Sequence, residues 1–143
     1  MIYTEMTRKA VRLAYDAHHG QFDKSGVPYI FHPFSVAESM ETETEAAVAM
    51  LHDVIEDTDA TMEDVIAAGF PPSVTDALRL LTHDPETPYF DYISKIRSSP
   101  TAVRVKLSDI ADNSRPDRLD CLPEEKRRRR IEKYAKARDM LTE

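Results

Sequence analysis

Apolar residues recur at helical spacing along nearly the whole chain, and no run shows the apolar–polar alternation of a half-buried strand. Only three glycines interrupt the 143 residues, so tight hairpin turns are scarce as well. In TEMTRKAVRLAYDAHHG, Ala10, Leu13, Ala14, Ala17 and His18 share one face before Gly20 stops the helix. QFDKSGVPYIFHP, with Gly26, Pro28 and Pro33, cannot be a continuous helix, and a second helix is expected to resume around Pro33. A third is expected from about Glu43 to Asp57, and a fourth from the Thr61 cap, with Asp64 three residues on, to Gly69. PPSVTDALRLLTH and PYFDYISKIRS read as two amphipathic helices, and TAVRVKLSDIADNSR as another, ended by Pro116. The last helix starts near Glu124. The expected fold is one all-α domain over residues 1–143, a bundle of about seven or eight helices.

Within that pattern, LHDVIEDT at residues 51–58 is unusual, because it sets a histidine among four acids next to an apolar run. On a continuous helix with His52 at zero, Glu56 falls near ~40°, Asp53 near ~100° and Asp57 near ~140°. Met50, Val54, Leu51 and Ile55 take the opposite arc, and Ala46 and Ala49 leave room on the polar one. Such crowding of acids is unfavourable unless a cation or a substrate relieves it. A solvated helix end with a chance histidine fits the segment equally well.

Hydrophobic residues at 41% and charged residues at 31% suit a globular protein. The single cysteine, Cys121, excludes an internal disulfide and a four-cysteine zinc site. A net charge of −7 disfavours nucleic acid or an anionic membrane surface as the main partner. The contrary signal is Lys126–Arg130, read first as the solvated face of a terminal helix and second as a strip for phosphate or RNA. No apolar leader follows the first residues and no apolar stretch approaches ~18 residues, so a cytoplasmic protein is expected.

Metal-ligand residue types recur outside the acidic segment. His32 precedes Pro33, while Asp109 and Asn113 lie one turn apart, with Asp112 flanking them. Singly, each also fits a loop or a packed core position. Together, His32, His52, Asp53 and Asp109 supply two imidazoles and two carboxylates, a set better suited to Mn²⁺, Fe²⁺ or Zn²⁺ than to an all-oxygen Mg²⁺ site.

The order His, His-Asp, Asp resembles the HD superfamily of metal-dependent phosphohydrolases. More narrowly, HHGQFDKSGVPYIFHPFSVA, AMLHDVIEDT and VKLSDIADNSR resemble the (p)ppGpp hydrolase domain of RelA/SpoT enzymes and the small alarmone hydrolases of metazoan SpoT-homologue type. The shared positions include His18, Gln21, Ser25, Gly26, Tyr29, His32, Leu51 to Asp53, Glu56 to Thr58, Lys106, Asp109, Asn113 and Arg115. The resemblance implies an HD-type helical bundle holding Mn²⁺, or another divalent transition metal, through His32, His52, Asp53 and Asp109. It implies that Glu56 and Asp57 position or deprotonate the attacking water, that Lys24, Ser25 and Lys106 hold phosphates or nucleotide, and that Asn113 contacts the ribose. Hydrolysis alone is expected, since the chain leaves no room for a synthetase domain. Two positions depart from the family pattern: Asp23 replaces an arginine expected to stack on guanine, and Asp112 replaces a histidine. Phe22 and Tyr29 are the nearest aromatic residues that could stack on the base instead, and Asp23→Arg is expected to tighten guanine-nucleotide binding. The leading expectation is release of pyrophosphate from the 3′ position of ppGpp. The alternatives are the same chemistry on another phosphorylated nucleotide, or a non-catalytic nucleotide-binding regulator. The partner is a small nucleotide in each case, no membrane is involved, and the oligomeric state stays open.

Overall fold

A computed structural model describes residues 1–143, which form ten helical segments. They are α1 (Glu5–Ala17), α2 (Phe31–Glu38), α3 (Glu43–Leu51), α4 (Val54–Asp57), α5 (Met62–Ala67), α6 (Pro72–Leu81), α7 (Tyr89–Ile96), α8 (Pro100–Asn113), α9 (Pro116–Leu119) and α10 (Glu124–Thr142). The all-α architecture agrees with the helical periodicity. The strand-like feature is a single bridge, Phe22 to Pro28, closing the loop between α1 and α2.

Helix α3 is the axis of the bundle. It packs against α1, α2, α6 and α8, and Glu45 to Leu51 are all buried. Its alanines at 46, 47 and 49 are fully covered, so they bring neighbouring helices close rather than leaving a solvated arc. Thr42 opens α3 with a reciprocal bond to Glu45, and Thr61 opens α5 the same way with Asp64. Each such cap contributes about 1 kcal/mol. The Glu45 carboxylate also meets Arg104 Nε at 3.1 Å, tying the start of α3 to α8. A continuous cluster of 26 buried residues runs from Ala10 to Leu141 and includes Val36, Leu51, Leu78, Ile93 and Ile110.

The helix expected over 43–57 is two helices. His52 turns back so that its Nδ1 lies 2.6 Å from the Ala49 carbonyl oxygen, and Asp53 leaves the helical ladder at φ −103°, ψ −2°. The imidazole competes for a carbonyl that would otherwise continue the i to i+4 bonds. The ladder resumes with the Asp57 N–H on the Asp53 carbonyl at 2.9 Å. The other added segment is the short α9, one turn after Pro116.

The basic run divides on α10. Arg128 pairs with Glu125 and Glu132 and Arg129 with Glu125, all on the exposed side, as a solvated face would. No helix is long and apolar enough to cross a membrane.

Candidate active site

His32 lies in the first turn of α2, His52 and Asp53 occupy the break between α3 and α4, and Asp109 sits one turn before the end of α8. Packing of α2 and α8 on α3 brings the four together. His32 Nε2 is 2.9 Å from Asp109 Oδ1 and 3.5 Å from Asp53 Oδ2; His52 Nε2 is 3.3 Å and 3.2 Å from the same oxygens. One ligand atom from each residue lies within 4.8 Å of all the others.

Hydrogen bonds set which ring nitrogens face inward. His32 Nδ1 is 2.6 Å from Asp112 Oδ2, and His52 Nδ1 is 2.6 Å from the Ala49 carbonyl. Both partners can only accept, so each Nδ1 carries a hydrogen and each Nε2 points into the cluster. Asp112 is also held by Ser35 Oγ and Arg115. Its departure from the family histidine therefore has a function in the structure, which is to orient His32. Tyr29 O–H donates to Asp53 Oδ2 at 2.6 Å and orients that carboxylate in turn.

Burial opposes charge on every member, yet the cluster keeps its charges. His52 is buried, but Asp53 and Asp109 hold its pKa well above the imidazole range. Against its own burial, Asp53 is drawn down to about 2 by His52, and Asp109 lies well below the carboxylate range because of Lys106 and His52. The carboxylates stay ionised around a point that favours positive charge. Donor separations of 2.9–3.5 Å match the ligand–ligand edges around an ion with bonds of about 2.0–2.2 Å. The residues present thus fit a divalent transition metal.

Glu56 and Asp57 follow on α4, and their carboxylates lie within 4.8 Å of that of Asp53. Loss of hydration along the cleft wall and the Asp53 charge raise the pKa of both; for Glu56 the His83 N–H pulls the other way. That N–H donates to Glu56 Oε1 from the loop after α6.

Two adjoining cavities open beside the cluster, both lined by Tyr29, Asp57 and Asn113. The smaller, about 400 Å³, contains Asp53, Asp109, Glu56 and Lys106. The larger, about 520 Å³, is walled by the α1–α2 loop and by α9 and α10, with Lys24, Ser25, Arg118 and Arg130 on its surface. The four residues singled out for substrate are divided between them. Lys24 and Ser25 stand in the larger cavity, Lys106 in the smaller, and Asn113 in both. Lys106 Nζ bonds Asp109 Oδ2 at 2.8 Å, and Asn113 Nδ2 bonds Asp109 Oδ1 at 2.9 Å. Both already serve the cluster itself.

Asp23 departs from what its position suggested. Its Oδ1 accepts from Ser25 N, Ser25 Oγ and Val27 N, each at 2.9 Å, and its Oδ2 meets Arg118 at 3.3 Å. An arginine at 23 would lose the three loop bonds and face Arg118, so the tighter binding expected of Asp23→Arg does not follow. Arg118 leaves no mark in the sequence, because α9 has no signal beyond Pro116 and the partner, Asp23, lies 95 residues away. Asp112 was within reach, three positions after Asp109 on the same helix.

The family model described as HD domain matches residues 10–83. The guanosine-3′,5′-bis(diphosphate) 3′-pyrophosphohydrolase of Haemophilus influenzae is 37% identical over 131 residues, covering 82% of this chain and 19% of that protein. The bifunctional (p)ppGpp synthase/hydrolase SpoT of Escherichia coli is 50% identical over 62 residues, covering 41% of this chain and 9% of that protein. The chain thus spans less than a fifth of the length of these curated relatives. A solved structure of a metazoan orthologue of SpoT, described as hydrolysing ppGpp and acting in starvation responses, superposes with a TM-score of 0.82 at 28% identity. That match covers 99% of this chain and 88% of the other.

Proposed function

This chain belongs to the HD domain family, and on that premise we propose that it hydrolyses guanosine 3′,5′-bis(diphosphate), releasing pyrophosphate from the 3′ position. The observation that carries this reading is the four-residue cluster with Glu56 and Asp57 beside it, its Asp53 and Asp109 on the wall of a cavity that adjoins a second one carrying Lys24, Arg118 and Arg130. A nucleotide phosphorylated at both ends suits such a divided cleft. The likeness to a (p)ppGpp hydrolase over most of the chain supports the same substrate.

His32, His52, Asp53 and Asp109 would hold the ion, and their mixed nitrogen and oxygen donors favour Mn²⁺ among divalent transition metals. When bound, it supplies Lewis acidity to the phosphoryl group and acidifies water. Water adds to the phosphorus attached to the ribose 3′ oxygen, the bond to that oxygen breaks, and pyrophosphate departs. Glu56, with Asp57, takes the proton that water loses, and the ribose oxygen is reprotonated from solvent. Tyr29 and Lys106 keep Asp53 and Asp109 in place.

A panel of nucleotides incubated with the Mn²⁺-loaded protein tests this. Pyrophosphate is expected from ppGpp and pppGpp, with no orthophosphate. Faster turnover of another phosphorylated nucleotide would favour the second reading, for which Asp23 speaks, since it places a carboxylate on the wall of the larger cavity. Binding without turnover of any nucleotide would leave a regulator.

A separate expectation concerns Asp112. Exchanging it for alanine removes the acceptor that orients His32, and Mn²⁺ affinity should fall by about ten- to a hundredfold. Calorimetric titration measures this directly, and an unchanged affinity would remove Asp112 from that role.

A further inference from the structure

Lys133, on the inner side of α10, lines the smaller cavity together with Asp53 and Asp109. It is half-buried, its Nζ lies 4.6 Å from the Tyr89 ring centre and 5.3 Å from that of Tyr134, and no carboxylate comes within ion-pairing distance. Burial, then Arg130 and Lys106, press its pKa below the ordinary lysine value. Lys106, the other ammonium in the cavity, is bonded to Asp109. An ammonium withdrawn from water without a counter-ion is unfavourable, unlike the paired arginines on the outer face of the same helix. The two tyrosine rings lie against the ammonium itself and attract it, but they supply no counter-charge.

We propose that Lys133 binds the diphosphate of the substrate at the metal cluster and keeps hold of it as the pyrophosphate product. The site takes a phosphate chain because Asp53 and Asp109 of the cluster and Lys133 line one cavity. An anion bridging them meets a metal ion on one side and the free ammonium on the other. The proposal rests on the hydrolase reading above for the identity of the nucleotide, but not for the existence of the anion site. Lys133 reaches the diphosphate equally before and during bond cleavage, so its contribution is to binding and not to the chemical step.

The experiment pairs Lys133→Met, which keeps an unbranched apolar side chain of similar length, with Lys133→Arg. Pyrophosphate is titrated calorimetrically into the Mn²⁺-loaded proteins, and steady-state kinetics with ppGpp follow. The methionine variant should bind pyrophosphate about tenfold more weakly and raise KM by a similar factor with kcat within about twofold, while arginine restores most of both. Its melting temperature should equal or exceed that of the parent, since an unpaired cation has been removed. Equal pyrophosphate affinity in the parent and the methionine variant would overturn the proposal. If the parent fails to cleave ppGpp while the methionine variant still loses pyrophosphate affinity, the anion site stands and the substrate assignment falls.

Discussion

Exchanging Asp109 for asparagine is expected to abolish Mn²⁺ binding and hydrolysis together and to lower stability by about 3 kcal/mol. No other side chain serves so many partners here. Asp109 Oδ1 faces both imidazole Nε2 atoms and accepts from Asn113, while Oδ2 takes the Lys106 ammonium at 2.8 Å. Lys106 is largely withdrawn from solvent, and Asp109 is the acid it pairs with. An amide in place of the carboxylate leaves that ammonium uncompensated and aims an N–H₂ group at one of the cations. The loss should therefore appear in chelated protein as well as in loaded protein, as a fall in melting temperature of roughly 10 °C. Adding Lys106→Met should recover part of the stability but none of the activity, because the ion pair goes while the metal site stays broken. A single variant that melts with the parent, or that still takes up Mn²⁺ with parental affinity, would show that the ion is held elsewhere.

The way these residues meet explains how much of the site could be read from sequence. His32, His52, Asp53 and Asp109 are recognisable as ligand types in order, and the helices that carry them announce themselves through periodicity, the Thr61–Asp64 cap and the prolines. Their convergence is a tertiary fact, made by α2 and α8 packing on a central helix whose alanines read more naturally as a roomy polar arc. The break at His52 was hidden because it depends on a side chain taking a backbone carbonyl, which periodicity does not encode. Asp112 looked like a loss of a family histidine until the 2.6 Å contact with His32 gave it a partner 80 residues away in sequence. Asp23 likewise bonds its own loop and the distant Arg118, and neither contact leaves a local trace. Lys133 stood just beyond a basic run that is mostly a solvated, acid-paired face. Only the docking of α10 on α7 and α8 separates the inward cation from the outward ones.

Glu56→Gln is expected to leave folding and the ion in place and to lower kcat by about a hundred- to ten-thousandfold. The isosteric amide can still accept the His83 N–H through its oxygen, so α4 and the loop after α6 keep their contact. It cannot take a proton from water, and that is the step assigned to this side chain. Removing a negative charge beside Asp53 and Asp57 also relieves like-charge repulsion, so the melting temperature should hold or rise. KM should change little, because the amide alters the reaction step and not the cationic walls that hold the phosphates. Asp57→Asn separates the two acids. Its carboxylate has no hydrogen-bond partner of its own, whereas its backbone carbonyl accepts Gln21 Nε2 at 2.7 Å and survives the exchange. A small loss in Asp57→Asn beside a large one in Glu56→Gln assigns the proton to Glu56, and the reverse assigns it to Asp57. If both variants turn over ppGpp within about threefold of the parent while binding Mn²⁺ normally, neither carboxylate is the base, and the proton must leave by a route that bypasses α4.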